Sequence, residues 1–286
     1  MADAQAFQPG LRFRPLTVPD VLDECFRLYR NNFALFAGVA ILGAVPVTVL
    51  QLLAGTGNVY GTFYQVVTSP QSVNFANGPP TANPYLSFLQ LPISIAIAPF
   101  QYGTVTLAAI SVSLGTPATV WSLARDVLRR YWALLALYLL YTAAGIALVC
   151  LPLGIWLLVR LSMALPALFT ERASIGTAID RSWRLVERNW WRIFGTFVLV
   201  SILVVVLEYA LLPLFMAVVF LLPGLSPDLR GDLAVIVTAL IGQLTLPFYA
   251  AAVTLLYFDL RVRKEAFDLE MMAYSITHGQ PEEALT

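Results

Sequence analysis

The distribution of charged residues constrains this chain more than any other feature of its sequence. No Asp, Glu, Lys or Arg occurs between Arg30 and Arg125, and further charge-free runs cover 131–159, 209–227 and 233–258. Only 12% of the residues are charged and 59% are hydrophobic, whereas a soluble domain carries about 25% charged residues. A helix that crosses a bilayer needs roughly 20 apolar residues, and several of these runs reach that length. The chain is therefore predicted to fold in lipid.

The apolar runs predict an all-α membrane protein with six transmembrane helices. We expect residues 1–16 to form an N-terminal tail, 17–265 the membrane domain and 266–286 a C-terminal tail. The predicted spans are 33–53, 87–113, 131–150, 154–170, 194–221 and 234–257.

Basic residues separate to one side of these six spans. Of the 17 Lys and Arg residues, 15 fall before span 1, between spans 2 and 3, between spans 4 and 5, or after span 6, and the exceptions are Arg160 and Arg230. The positive-inside rule makes that side cytoplasmic. An odd number of spans would destroy the separation. We therefore expect a multi-pass protein of the bacterial cytoplasmic membrane with both termini in the cytoplasm. No signal peptide is expected, because residues 1–31 lack an apolar h-region.

The predicted outer connections differ in length. Residues 55–84 carry no charge and contain Asn-Gly-Pro-Pro at 77–80, which predicts a long loop. Residues 151–154 predict a tight turn between spans 3 and 4, and a short loop is expected around 223–232. Nearly every span has an interior proline, whose freed carbonyl needs a partner in lipid.

An amphipathic helix precedes each span that leaves the cytoplasm. The first is expected over 18–31, with a capping box at Thr17 and Asp20, and the third over 175–189, aligned with the first without a gap. A more divergent copy is expected over 117–130, after a capping Thr116. The chain is thus predicted to contain three repeats of amphipathic surface helix plus helical hairpin. These helices are expected either to anchor on the inner leaflet or to offer a docking platform.

Five segments carry a resemblance to a known family. They are Arg14-Pro15-Leu16 leading to 26–33, Gly115-x-Pro117, 166–171, 178–185 and 257–265. In this order they resemble bacterial integral membrane proteins similar to the membrane domain of glycerophosphodiester phosphodiesterases. The resemblance implies membrane residence. The sequence is similar to the stand-alone form, because only about 29 residues follow span 6, without a phosphodiesterase domain.

No motif indicates catalysis, and the chain is predicted not to be an enzyme. Its single histidine, His278, lies in the polar C-terminal tail, and no metal-binding, nucleophile-elbow or phosphate-loop motif is present. No cofactor or metal is expected. The formal net charge is zero, so no nucleic-acid partner is expected. Cys25 and Cys150 are placed on opposite sides of the membrane, so no disulfide is predicted.

Two ionisable residues fall inside predicted spans, namely Arg160 and Glu208. A charged group in a bilayer costs several kcal/mol on some scales and usually has a partner or a wet cavity. The two are predicted to lie at depths that allow a pair. Either they form a structural ion pair, or they define a polar site for a lipid headgroup, an ion or a proton. Gln90, Gln101 and Gln243 are polar neighbours for such a site.

Three functions remain open at this point. The first is a non-enzymatic scaffold or assembly factor that docks a membrane or cytoplasmic protein partner on a surface formed by Arg27, Arg30, Arg181, Arg184 and Arg188. The alternative is a transporter or lipid-handling protein that uses the polar site around Arg160 and Glu208. An intramembrane enzyme is disfavoured, because no Asp or His lies in a predicted span. Membrane lipids are expected partners in each case.

Overall fold

A computed structural model describes residues 17–69, 71, 83–147 and 151–265, which are mostly helical and contain no strand. The predicted terminal tails, 1–16 and 266–286, lie outside the described residues. The helices are α1 (Val18–Asn31), α2 (Phe33–Leu53), α3 (Thr56–Thr68), α4 (Pro84–Ser113), α5 (Val120–Arg129), α6 (Tyr131–Ile146), α7 (Leu151–Leu161), α8 (Ala164–Thr170), α9 (Ile175–Val186), α10 (Trp190–Leu221) and α11 (Pro227–Glu265).

Five helical segments of the described chain are long and apolar enough to cross a membrane. They are Phe33–Leu53, Tyr85–Ser113, Pro152–Thr170, Trp190–Leu221 and Pro227–Glu265. The predicted span at 131–150 corresponds to α6, which has only 16 residues and ends at Ile146. Residues 148–150 lie outside the described residues. The all-helical membrane class of the prediction is confirmed, with five candidate spans and one shorter apolar helix.

Helices α1, α5 and α9 come directly before α2, α6 and α10, and each is capped by a hydroxyl. Thr17 and Asp20 form the expected capping box on α1. For α5 the expected cap was wrong. Thr119 rather than Thr116 accepts the first-turn amide, from Ser122 at 3.2 Å. The helix therefore begins three residues later than the sequence pattern indicates.

Each of these three helices buries one face against other helices of the protein. The buried residues are Val21, Cys25 and Leu28 on α1, Leu123, Ala124 and Val127 on α5, and Ala178, Ser182, Leu185 and Val186 on α9. Tyr29 on α1 stacks on Phe248 of α11, with ring centroids 4.5 Å apart. The apolar faces of these helices are thus covered by protein rather than left to lipid alone.

The predicted loop over 55–84 contains a helix, which corrects that prediction. Helix α3 packs along the first turns of α11, and its Gly57 and Gly61 allow the backbones to approach closely. A Cβ atom on Gly57 would collide with Asp232, and one on Gly61 would collide with the carbonyl of Pro227. Small residues four apart are the usual means of such close packing. Residues 70 and 72–82 of the predicted loop lie outside the described residues.

Arg230, one of the two basic residues that do not follow the charge separation, has a structural role beside α3. Its side chain is buried and donates hydrogen bonds to the carbonyls of Val219, Phe220, Leu222 and Leu225. The bonds to Val219, Phe220 and Leu222 satisfy carbonyls at the C-terminal end of α10, where no partner is available within the helix. The guanidinium also lies 4.7 Å from the ring centre of Tyr64 on α3.

Two interior prolines of the spans are supported by tyrosine hydroxyls from other helices. Tyr131 donates to the carbonyl of Ala96, three residues before Pro99, at 2.8 Å. Tyr29 donates to the carbonyl of Leu244, three residues before Pro247, at 3.0 Å. Each hydroxyl thus adds a hydrogen bond in the helical turn before a proline, where the helix is distorted.

The turn predicted at 151–154 is instead the first turn of α7, which begins at Leu151. The predicted fourth span is also broken, because Ser162 and Met163 separate α7 from α8. Ser182 of α9 is inserted at this break. Its hydroxyl donates to the carbonyl of Arg160 at 2.6 Å and accepts from the amide of Met163 at 3.1 Å.

Candidate functional site

A cavity of about 720 Å³ lies among α4, α6, α7, α8, α10 and α11. Its wall is predominantly aliphatic and aromatic, with residues such as Leu137, Leu158, Phe197, Val205 and Val253. The cavity is partly open to the outside of the helix bundle. Its volume falls within the range of about 300–1,000 Å³ that is typical of small-molecule sites.

Four tyrosines supply polar groups in this apolar wall, namely Tyr102, Tyr138, Tyr141 and Tyr249. Tyr102 and Tyr138 stack with ring centroids 6.1 Å apart. The hydroxyl of Tyr141 donates to the carbonyl of Leu161 at 2.5 Å, which ties α6 to the end of α7. The arrangement suits a mostly apolar ligand, because aromatic rings contribute large contact area and few polar groups need to be satisfied.

Arg160 lies on α7 beside this cavity but turns toward α9. Its Nη1 donates to the carbonyl of Trp183 at 3.1 Å. The guanidinium carbon lies 5.4 Å from the ring centre of Trp156 and 5.3 Å from that of Trp183. A guanidinium within about 6 Å of an indole ring is stabilised by a cation–π interaction.

Glu208 lies elsewhere, on α10. It accepts a hydrogen bond of 2.6 Å from the hydroxyl of Thr245 on α11. Within the described part of the chain no ion pair joins Glu208 to Arg160. The two predicted members of the polar site thus have different hydrogen-bond partners, Trp183 for Arg160 and Thr245 for Glu208.

The three glutamines predicted as polar neighbours of this site lie on α4 and α11. Gln101 of α4 donates a side-chain hydrogen bond to Gln243 of α11, which joins two long helices. Gln243 also lines a smaller cavity of about 150 Å³ between α2, α3 and α11, together with Thr48 and Tyr60. Gln90 is half-buried on α4. Within the described residues, no hydrogen bond joins these amides to Arg160.

A hydrogen-bond network joins α8, α9 and the end of α11. Glu171 accepts from Arg181 and from the hydroxyl of Tyr257, each at 2.7 Å. Thr170 donates to Tyr257 at 2.8 Å, and Arg181 also pairs with Glu265. Burial lowers the pKa of the Arg181 guanidinium, but its hydrogen bonds to Glu265 and Glu171 outweigh burial and raise that pKa above the usual value.

A cluster of charged side chains around Asp259 lies beside this network and is more deeply buried. Asp259 is only 2% exposed. It accepts from Arg192 of α10 at 2.6 Å and from Arg263, one helical turn later, at 3.0 Å. A buried carboxylate is tolerated when charged donors satisfy its oxygens. Asp259 thus fixes the end of α11 against the start of α10.

The residues predicted to form a docking surface differ in exposure. Arg27, Arg30, Arg184 and Arg188 are exposed. Arg27 pairs with Glu24 and Arg184 with Asp180, in both cases along the same helix. Arg181 is different, because its side chain is held by Glu171 and Glu265 within the protein.

The hydrogen-bond network around Glu171 and the ionic cluster around Asp259 contain residues from three segments that carry the family resemblance. These segments are 166–171, 178–185 and 257–265. A family model described as the membrane domain of glycerophosphoryl diester phosphodiesterase matches residues 131–280. The chain belongs to this family. No match was found among curated proteins or solved structures. The family match and the apolar helices together identify an integral membrane protein.

The family match covers most of the features of the site. Glu171, Arg181, Tyr257 and Asp259 all fall within it, as do α7, α10 and α11, which wall the cavity. Sequence reasoning missed both the cavity and the buried role of Asp259. The one indication of a role for Asp259 in the sequence was its position in the segment 257–265, which carries the family resemblance. Within the described residues no group of three or more His, Cys, Asp or Glu side chains is placed to hold a metal ion.

Proposed function

We propose that this member of the family is a non-enzymatic, lipid-binding protein of the cytoplasmic membrane. The observation that carries the proposal is the apolar cavity among α4, α6, α7, α8, α10 and α11. The helices around it belong to the membrane-spanning part of the chain, where the abundant apolar molecules are lipid acyl chains. An acyl chain bound there would cover a predominantly apolar wall, in which few polar groups need a hydrogen-bond partner.

The proposal includes a topology. We infer six spans in three repeats, each a surface helix (α1, α5 or α9) followed by two spans, with both termini in the cytoplasm of a bacterial cell. The separation of 15 of the 17 basic residues supports an even number of spans. Exposed aromatic residues at the start of α2, α6 and α10, namely Phe33, Trp132 and Trp191, suit a membrane interface. The apolar α6 would be the remaining span.

A scaffold that docks a protein partner is the second candidate. The observation in its favour is the exposure of Arg27, Arg30, Arg184 and Arg188, whereas Arg181 is occupied within the protein. A partner that co-purifies stoichiometrically, and that is lost in an Arg184→Glu/Arg188→Glu variant with intact lipid binding, would favour this candidate.

Photocrosslinking with a phospholipid that carries a diazirine in its acyl chain tests the lipid proposal. We expect labelled peptides to concentrate on the cavity wall, in α6, α7 and α10. Val205→Trp should reduce this labelling severalfold, because Val205 lines the cavity and an indole would occupy part of its volume.

Val218→Trp is the matched control. Val218 is also on α10 and is similarly exposed, at 54% against 48% for Val205, but it lies outside the cavity. Its labelling pattern should remain that of the unmodified protein. Labelling spread evenly over the outer faces of all the helices, and unchanged by Val205→Trp, would contradict the proposal.

A further inference from the structure

The Arg160 side chain has N–H donors without a hydrogen-bond partner among the described residues, and the apolar cavity does not account for them. Its Nη1 donates to Trp183, while its Nε is buried without a hydrogen-bond partner in the described part of the chain. The indole Nε1 of Trp183 is likewise buried and unpartnered among the described residues. An unmade hydrogen bond at a buried donor costs free energy, and each case calls for an explanation.

Tryptophans surround this guanidinium. Trp156 and Trp183 lie within cation–π distance of it and meet edge to face, with centroids 5.3 Å apart. The indole N–H of Trp190 lies 3.4 Å from the carbonyl of Trp156. Indole rings partition to the headgroup layer of a bilayer, so this cluster marks a position at the membrane interface rather than at its centre.

Among the described residues, no carboxylate is hydrogen-bonded to Arg160. Lys264 donates to the carbonyls of Arg184 and Glu187, each at 2.7 Å, and the charges of Arg160 and Arg188 both act on it. Two carboxylates lie near Lys264. Glu187 is exposed, and Glu265 is held by Arg181 and Arg261. The cluster therefore suits an anion.

The same cluster is continuous with the cavity. Ile155, Leu158 and Val159, which line the cavity, lie within five residues of Arg160 on α7. Phe194 lines the cavity from α10 and stacks on Trp190, with centroids 5.0 Å apart. A single amphipathic molecule could place its charged group at Arg160 and its apolar chains in the cavity.

We infer that Arg160, within its tryptophan cluster, binds the phosphate of a membrane phospholipid whose acyl chains occupy the cavity. The inference rests on the proposed lipid-binding function and adds the headgroup class. A guanidinium binds phosphate oxygens through paired N–H donors. Among the described residues only the Nη1 of Arg160 has a hydrogen bond, so its Nε and Nη2 are the donors that a phosphate would use.

Native mass spectrometry of the full-length protein, titrated with two lipids of identical acyl chains, tests this. The lipids are phosphatidylglycerol, which has a phosphate, and diacylglycerol, which has none. We expect phosphatidylglycerol to bind roughly tenfold more tightly, as a charge-assisted hydrogen bond provides. Arg160→Gln should abolish this preference and leave diacylglycerol binding unchanged. Arg160→Lys should restore part of the preference.

Arg129→Gln is the charge-matched control. It removes the same positive charge as Arg160→Gln, but the Arg129 side chain is 71% exposed on α5. It should keep the full preference. Millimolar inorganic phosphate is a third arm. A site for lipid phosphate should retain its preference in that buffer, whereas loss of the preference would assign the site to free phosphate and overturn the inference.

The outcomes separate this inference from the proposed function. If neither lipid binds the unmodified protein, the lipid-binding proposal fails and the headgroup site fails with it. If both lipids bind equally well, the cavity proposal stands and only the headgroup site is overturned. A preference that persists in Arg160→Gln, with diacylglycerol bound normally, would also overturn it.

Discussion

At the scale of single residues, Asp259 holds two arginines together in a buried setting. Asp259→Asn would leave Arg192 and Arg263 facing each other without the carboxylate that both contact. Removing one member of a buried ionic cluster typically costs about 3–5 kcal/mol. We therefore expect a clear drop in the midpoint of thermal unfolding in detergent.

Asp180→Asn is the control for this change, because Asp180 pairs with Arg184 on the surface of α9 with its side chain 67% exposed. Exposed pairs contribute about 0–1 kcal/mol, so its unfolding midpoint should stay close to that of the unmodified protein. Equal effects of the two changes would mean that Asp259 is not buried as described.

Cys25 tests whether α1 packs on protein. It is 2% exposed, and burial, with the charge of Glu24 adding to it, raises its pKa to about 12. Only the thiolate reacts with maleimide. In a Cys150→Ser background at pH 8, Cys25 should therefore react at least about a hundredfold more slowly than a free cysteine. Folding raises this pKa, so its contribution to stability is complete below pH 9 and is lost as the pH rises toward the folded value.

An exposed position on the same helix provides the comparison for Cys25. Asp23→Cys, combined with Cys25→Ser, should react at the rate of a free thiol, because Asp23 is exposed. If Cys25 in the folded protein reacts as fast as the cysteine at position 23, then α1 does not bury this face.

At the scale of helices, the contact of α3 with α11 depends on the absence of side chains. Gly61→Ala would place a methyl group against the carbonyl of Pro227, and overpacking of this kind costs about 1–3 kcal/mol. Gly242→Ala should be neutral or slightly stabilising, since a Cβ there meets no atom within 4 Å and alanine favours helix. The midpoint of thermal unfolding should therefore fall clearly for Gly61→Ala and stay unchanged or rise slightly for Gly242→Ala.

The helix α3 also shows where sequence reasoning reached its limit. Residues 55–84 have no charge and many Gly, Asn, Pro, Ser and Thr residues, a composition that indicates a loop. Helix formation over 56–68 depends on tertiary packing against α11, which local propensity does not report. The available signal was the spacing of Gly57 and Gly61. In contrast, α1 could be predicted to the residue, because its cap and periodicity agree.

At the scale of the whole molecule, the helical membrane class followed from the charge-free runs, while the arrangement of polar groups did not. Arg160 and Glu208 were placed by depth along ideal spans. Depth along a helix does not determine which neighbour a side chain faces. Arg160 faces α9, where its Nη1 donates to the carbonyl of Trp183. Glu208 faces Thr245 of α11. The cavity could not be predicted either, because its walls come from six helices spread along the chain from α4 to α11.

The topology of the whole chain depends on α6. Its 16 residues provide about 24 Å at 1.5 Å per residue, which is short for a hydrocarbon core of about 30 Å. If α6 crosses, the chain has an even number of spans and its two ends share one side. If it does not, the basic residues before α6 and those after α8 lie on opposite sides, against the positive-inside rule. The test fuses two reporters to each terminus in turn: green fluorescent protein, which is fluorescent in the cytoplasm, and alkaline phosphatase, which is active outside. We expect fluorescence at both ends and phosphatase activity at neither. Opposite reports from the two ends would leave five spans and remove the three-repeat arrangement.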